Sequence, residues 1–146
     1  MEYNIRKLES FETESALGLV NKVFMEYEAP DYTEEGVEEF NKSMRDEEYL
    51  SKLCMYGAFA DERLIGVIAT RSEGTHIALF FVDSDFQGKG VGRSLFQTVV
   101  ADCNSNRITV NSSPYAVPIY KKLGFTETDT EKTVNGLRFT PMEYKF

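Results

Sequence analysis

The sequence has no long apolar run. Its longest, residues 77–82, is six residues, against the roughly 20 that a membrane-spanning helix needs. The N-terminus, Met-Glu-Tyr-Asn-Ile-Arg, has no apolar stretch of the kind a signal peptide carries. Cysteine is scarce: Cys54 and Cys103 are the only two, and their spacing is neither that of metal ligands nor that of a redox pair. No metal and no acyl-cysteine step is expected from them, and both read as small apolar packing residues. Positive charge is short as well. The chain holds 24 Asp and Glu against 16 Lys and Arg, a net charge of −8. Nucleic acid and anionic membranes both call for concentrated positive charge, so neither is the expected partner. There is no internal repeat, no low-complexity tract and no linker. The default reading is a cytoplasmic protein.

What is present fits one domain over residues 1–146, since 42% of the residues are apolar, enough for a core. The charge is local. Residues 26–48 hold ten acids and two bases, and the other 123 residues hold fourteen of each. Along the chain, residues 3–8 read as a strand. Phe11, Leu17, Val20, Val23, Phe24 and Tyr27 follow helical spacing, which Ala29-Pro30 ends. Asp31 and Glu34 have the form of a capping box opening a second helix to about residue 52, with Gly36 as a weak point. Residues 55–60 and 64–69 read as a hairpin, and 76–82 as a strand apolar on both faces. Residues 90–103 form an amphipathic helix, 107–110 a strand and 114–123 a short helix closed by Gly124. Residues 125–128 and 137–144 are the last strands, around a hairpin turn at Asn135-Gly136. The expected fold is α/β: a mixed, mostly antiparallel central sheet of about seven strands flanked by four helices.

Chemistry concentrates in the run from Phe80 to Leu95, where a buried strand ends, the chain turns and a glycine-rich segment enters a helix. A helix N-terminus offers unpaired N–H groups and the positive end of the helix dipole, and so attracts anions. Gly88, Gly90 and Gly92 would let a phosphate approach the main chain closely, though the same glycines would also suit a tight turn. A P-loop needs Gly-Lys-Ser/Thr, and here Gly90-Val91-Gly92-Arg93 stands instead. The dinucleotide fingerprint Gly-x-Gly-x-x-Gly needs a third glycine three residues after the second, whereas this chain goes on to Leu95-Phe96. Neither pattern fits.

The segment does resemble the acetyl-CoA signature of the GNAT N-acetyltransferase superfamily, Gln/Arg-x-x-Gly-x-Gly/Ala, met by Gln87, Gly90 and Gly92. A second element follows in order: Ile108-Thr109-Val110-Asn111, then Ala116, then Ile119-Tyr120-Lys121-Lys122-Leu123-Gly124-Phe125, whose Tyr-x-x-x-Gly-Phe ending is similar to the closing helix of that family. The order of elements over almost the whole chain agrees. The resemblance implies an acetyl-CoA-dependent N-acetyltransferase with no metal. Backbone amides of Gln87, Gly88, Lys89, Gly90, Val91, Gly92, Arg93 and Ser94 would hold the CoA pyrophosphate. Main-chain groups near Phe81 and Val82 would pair with pantetheine where two strands splay at a bulge. Asn111 and the turn from Tyr115 to Val117 would line the other side. Tyr120 would be the general acid: a phenol of pKa ~10 can protonate a thiolate of pKa ~8.5 without itself being ionised. As an ordinary core tyrosine it would look much the same. Where many family members have Asn seven residues before this tyrosine, the chain has Ser113, which with Pro114 makes a sound helix start.

An amine acceptor needs a base. His76, the only histidine, stands eleven residues before Gln87, the offset at which the histone-acetyltransferase branch carries its glutamate. Its unperturbed pKa of ~6.5 suits the work. Glu73 and the acids of residues 26–48 stay open as alternatives. By resemblance that acidic segment walls the acceptor side, and would attract cationic amines such as aminoglycosides, polyamines or basic peptides. The same acids would serve equally as a solvated helix face. The expected acceptor is a small-molecule amine, with a homodimer compatible. The other readings are a non-catalytic acyl-CoA-binding or regulatory module, and an enzyme acting on protein N-termini or lysines.

Overall fold

The computed structural model describes residues 2–146. Its strands are β1 (Asn4–Lys7), β2 (Cys54–Ala60), β3 (Arg63–Arg71), β4 (His76–Val82), β5 (Arg107–Ser112), β6 (Thr126–Glu127), β7 (Lys132–Val134) and β8 (Leu137–Lys145). The α-helices are α1 (Thr13–Val23), α2 (Glu34–Ser43), α3 (Glu47–Ser51), α4 (Val91–Asp102) and α5 (Val117–Leu123). The strands lie in the order β1-β2-β3-β4-β5-β8-β6, with β7 paired to β8. Only β4 and β5 run parallel. The mixed, mostly antiparallel α/β sheet is therefore as expected, with one strand and one helix more. Among the described residues no helix is long and apolar enough to cross a membrane.

The additional helix comes from a break at residues 44–46, not at Gly36. Asp46 caps α3, its carboxylate accepting from the Tyr49 N–H at 3.1 Å. The cap of α2 is Thr33, whose hydroxyl accepts from the Gly36 N–H at 3.3 Å, and not Asp31. The additional strand is β7. It is exposed at every position and carries no burial pattern to read, yet it is β7, not residues 125–128, that forms the hairpin with β8. Asn135 and Gly136 have φ of 51° and 81°, as a two-residue turn between twisted strands requires. Phe11 lies outside α1, in a 3₁₀ turn, and is exposed.

Each face of the sheet has its own apolar layer. On one, Ile68, Leu95, Phe96, Val99 and Ile108 pack under α4 and α5; on the other, Val20, Val23, Phe24, Val67 and Phe81 pack under α1. Phe24 stacks on Phe40 of α2 with ring centres 3.8 Å apart, which ties the second helix to the first. Beyond Val23 the helix widens into a π-helical turn, Phe24–Glu28, followed by a 3₁₀ turn at Ala29–Asp31.

Two bulges shape the centre. Between β3 and β4 the register passes from Ala69↔Leu79 to Thr70↔Ile77, leaving Ala78 unpaired. The extra residue reverses the alternation: Ile77 faces α4, whereas Leu79 and Phe81 face α1 and Phe80 and Val82 turn back toward α4. β4 and β5 pair only at His76↔Thr109 and Ile77↔Val110, and then part.

Asp83 ends β4 and fixes where the chain turns. Its N–H donates to the Ile65 carbonyl at 2.8 Å. Its buried carboxylate accepts from Lys22 of α1 at 3.1 Å, Arg63 of β3 at 3.2 Å and the Asp85 N–H at 3.0 Å. Burial alone would raise its pKa, but these donors outweigh it and hold the group below the ordinary carboxylate value. A carboxyl whose pKa is depressed by folding stabilises the native state above its unfolded pKa of about 3.9, and loses that contribution as the pH falls through the folded value. Asp83→Asn is expected to lower the unfolding free energy by about 1–3 kcal/mol at neutral pH, and to flatten the loss of stability below pH 4; urea melts across that range read both.

Candidate active site

A groove of about 470 Å³ starts at the C-terminal end of β4. After a 3₁₀ turn at Ser84–Phe86, the Gln87 side-chain amide donates back to the Val82 carbonyl at 3.0 Å and so closes the loop on the strand. Gly88 and Gly90 have φ of 75° and 86°, the left-handed region. A Cβ at Gly88 would meet nothing within 4 Å, and one at Gly90 only the Tyr3 hydroxyl at 3.9 Å. Glycine is therefore required by conformation, and the space above the turn is open. α4 begins at Val91 with no side-chain cap. The N–H groups of Val91, Gly92 and Arg93 have no intrahelical acceptor, while Ser94 is the first to donate inside the helix, to Gly90 O at 3.0 Å. The Ser94 amide is thus taken. Its hydroxyl instead meets the Tyr3 hydroxyl at 2.7 Å and braces the N-terminal segment against α4.

The splay supplies the next set of free groups. In an antiparallel pair, alternate residues direct their N–H and C=O to the partner strand. The bond from Asp83 N to Ile65 O sets the phase: Phe81 turns its main-chain groups to Val67 of β3, and Phe80 and Val82 turn theirs into the gap beside β5. The free main chain is therefore at Phe80 and at the Val82 N–H, the Val82 carbonyl being taken by Gln87, with Phe81 contributing its ring to the wall. Opposite them stand Tyr115 and Ala116, from the turn before α5, and Ile119, Tyr120 and Leu123 of α5. A row of bare amides, an open glycine turn and a strip of unpaired main chain suit a long ligand with an anionic end and amide groups, which is the chemistry of acyl-CoA.

A second cavity, of about 550 Å³, lies between the α1 face of β4, helix α2 and the β7–β8 hairpin. Five residues line both spaces: Glu28, Phe80, Phe81, Ala116 and Tyr120. Tyr120 is buried, with its ring edge-on to Phe80 and Phe125 at 5.9 and 5.2 Å. Burial, and then the Glu28 carboxylate, push its phenol pKa up, so it stays protonated. Glu28 ends the π-helical turn. Burial pushes its carboxyl up to about 7, with Asp31 adding to the shift and a hydrogen bond from Ser113 opposing it. The Ser113 hydroxyl is itself fixed, accepting from the Ala116 N–H at 3.2 Å. π-helical turns occur disproportionately at functional positions.

The remaining candidates fall elsewhere. His76 sits where β4 and β5 still pair, with Nδ1 2.8 Å from the Thr109 hydroxyl, and lines neither cavity. Burial, with Arg71 nearby, pushes its pKa down to about 4. Asn111 lines the second cavity, not the groove. Val117 lines neither and packs into the core under α4. Of the ten acids in residues 26–48, Glu28 and Glu39 line the second cavity, facing Arg71 and Arg138 across it. Glu28 was within reach of the sequence: Ala16, Val20 and Phe24 form a buried stripe at intervals of four, and the next step of that stripe is Glu28.

The sequence profile described as the acetyltransferase (GNAT) domain matches residues 28–146. No curated protein matches the chain in sequence. Solved structures do match in fold. A GCN5-related N-acetyltransferase from Rhodopseudomonas palustris superposes with a TM-score of 0.86 at 20% identity, covering 100% of this chain and 97% of that one. The PaiA N-acetyltransferase of Thermoplasma acidophilum, solved with coenzyme A, gives 0.81 at 21% identity over the whole of both chains. Apo YjaB of Escherichia coli gives 0.77 at 21% identity, covering 99% and 98%. A sequence match that takes in β2 to β8, on a fold shared from end to end, places the chain in the GNAT acetyltransferase family, as an acetyl-CoA-dependent acyltransferase.

Proposed function

We propose that the whole chain is one catalytic domain that acetylates the nitrogen of a primary amine by direct attack. The observation that carries this reading is the meeting of the two cavities at Tyr120 and Glu28. Bound acetyl-CoA supplies a thioester carbonyl and a thiol leaving group. The bare amides of Val91, Gly92 and Arg93 hold its anionic end, and the main-chain groups of Phe80 and the Val82 N–H hold its arm. The amine arrives from the second cavity. Most amines arrive protonated, and Glu28, half ionised near pH 7, takes the proton that attack requires. Tyr120, kept neutral by burial and by Glu28, gives its proton to the departing sulfur as the C–S bond breaks, and the second proton shed by the nitrogen as the amide forms restores the phenol. Much of the rate gain is positional, since amine and thioester are brought together in a fixed geometry. The base in this reading is Glu28 in place of His76, because His76 lines neither cavity and its depressed pKa makes it a weak base.

Purified protein given acetyl-CoA and a panel of primary amines is expected to release free thiol and form the N-acetyl product. A protein that binds CoA tightly and turns over no amine, peptides included, would instead be an acyl-CoA-binding module. Tyr120 and Glu28 favour the enzyme, since neither a proton donor nor a base is needed to hold the cofactor.

A further inference from the structure

The second cavity is bridged along one side by segments far apart in the chain. At Gly36 and Gly136 the N-terminus of α2 and the tip of the β7–β8 hairpin are in main-chain contact: a Cβ on Gly36 would run into the Gly136 carbonyl, and one on Gly136 would lie 2.5 Å from the Gly36 nitrogen and 2.9 Å from the Thr33 hydroxyl. A second tie joins Arg138 to the Asp31 carbonyl at 3.1 Å, with the guanidinium anchored on Glu131 at 3.3 Å. The stack of Tyr27 on Tyr115, with centroids 5.1 Å apart, belongs to the groove side, where Tyr115 lines the wall. The two ties of the second cavity bridge the α1–α2 connection and the start of α2 to the β7–β8 hairpin.

An extended polypeptide needs an open trough to lie in, and here the trough is crossed by two ties. The far end of the cavity is marked by Arg71, which pairs with His76 across β3 and β4. From that row to Phe80 is four strand residues, about 13 Å. A lysine side chain of four methylenes reaches only about 6 Å beyond its Cα, so a lysine entering from that end stops short of Glu28. Inside, Phe24, Phe40, Leu79 and Phe81 give the wall an aromatic and aliphatic stretch beside its polar groups. Its two bases, Arg71 and Arg138, at least offset Glu39 and the partly ionised Glu28, so it offers a polycation no net attraction.

Resting on the acetyltransferase reading above, we infer that the acceptor is a small free amine on an apolar, aromatic-sized body, taken wholly inside the α2–hairpin bridge, and that polypeptide amines and polyamines are excluded. The test is a comparison of kcat/KM for 2-phenylethylamine, spermidine, and an unstructured peptide with a free N-terminus and one lysine. The arylalkylamine is expected to exceed both others by at least 100-fold. Arg138→Ala, which cuts the tie to Asp31, is expected to narrow that ratio by 5-fold or more with CoA affinity unchanged; Gly36→Ala, which forces the two main chains apart, should do the same if it folds. Peptide or spermidine turnover equal to that of the arylalkylamine overturns the inference and leaves the acetyltransferase standing, as does an Arg138→Ala ratio that does not move. CoA binding without turnover of any amine overturns the acetyltransferase reading itself.

Discussion

Tyr120→Phe is expected to lower kcat by a factor of 10² to 10³, within the range typical of a lost general acid, while changing CoA affinity less than threefold. The substitution removes only the hydroxyl. The ring keeps its edge-on contacts with Phe80 and Phe125, so thermal stability should be close to that of the parent. The hydroxyl has no hydrogen-bond partner among the described residues and lies at the junction of the two cavities, which frees it to donate to an incoming group. Its pKa is raised by burial and by the Glu28 charge, so the proton is present throughout the neutral range. The loss should therefore be flat across pH and should shrink for acyl donors whose thiol is more acidic, because a better leaving group needs the proton less. Steady-state rates with two acyl thioesters, alongside calorimetric CoA binding, check both parts. An unchanged kcat would remove Tyr120 from the chemistry.

Glu28→Gln is expected to cost 10² to 10⁴ in rate at pH 7 and to change the shape of the pH profile. In the parent enzyme the rate should rise with pH through about 7, as the Glu28 carboxyl ionises. In the variant that limb should vanish, and the rate should follow the neutral fraction of the amine itself, with a pKa near 10. Stability should move in the opposite direction. A carboxyl whose pKa is raised by folding favours the native state most below its unfolded pKa of about 4.3, and that contribution is lost as the pH rises through the folded value. Above pH 7 the parent carries a half-buried charge that the glutamine variant lacks, so the variant should melt higher there. A less active and more stable protein is the signature of a group held at an energetic cost for chemistry. Equal loss of activity at every pH would mean that Glu28 only supports the site.

Much of the site could be read from the sequence because its parts are local. The strand, turn and helix from Phe80 to Leu95 form one continuous segment, and the left-handed φ at Gly88 and Gly90 is a property of residues that announce it. The Tyr-x-x-x-Gly-Phe ending of α5 is similarly self-contained: Gly124, at φ of 110°, closes the helix that Tyr120 sits in. What depended on long-range register was harder to read. Which of Phe80, Phe81 and Val82 bares its main chain is decided by Ala78, unpaired against β3, and nothing in the run His-Ile-Ala-Leu-Phe-Phe-Val marks it as a bulge. The offset that suggested His76 as a base says nothing of where β4 and β5 stop pairing, and His76 lies on the closed side of that point. Glu28 was obscured by its neighbours, since nine other acids in residues 26–48 make any one of them look like surface.

The parting of β4 from β5 also has a thermodynamic side. A sheet normally hides its unpaired strands at its two margins, whereas this one carries two bare lengths of main chain in its middle, one on each side of the gap. Such surfaces are sticky, and proteins usually cover them. Here α1 and α5 stand over the gap and keep a foreign strand out, which leaves a narrow ligand as the natural filler. Cofactor binding and folding are then coupled: a ligand that binds only the native chain, at a hundred times its dissociation constant, adds about 2.7 kcal/mol to native stability. The unloaded protein is, in that sense, a sheet lacking one member, and its resistance to unfolding will track the acyl-CoA supply of the cell.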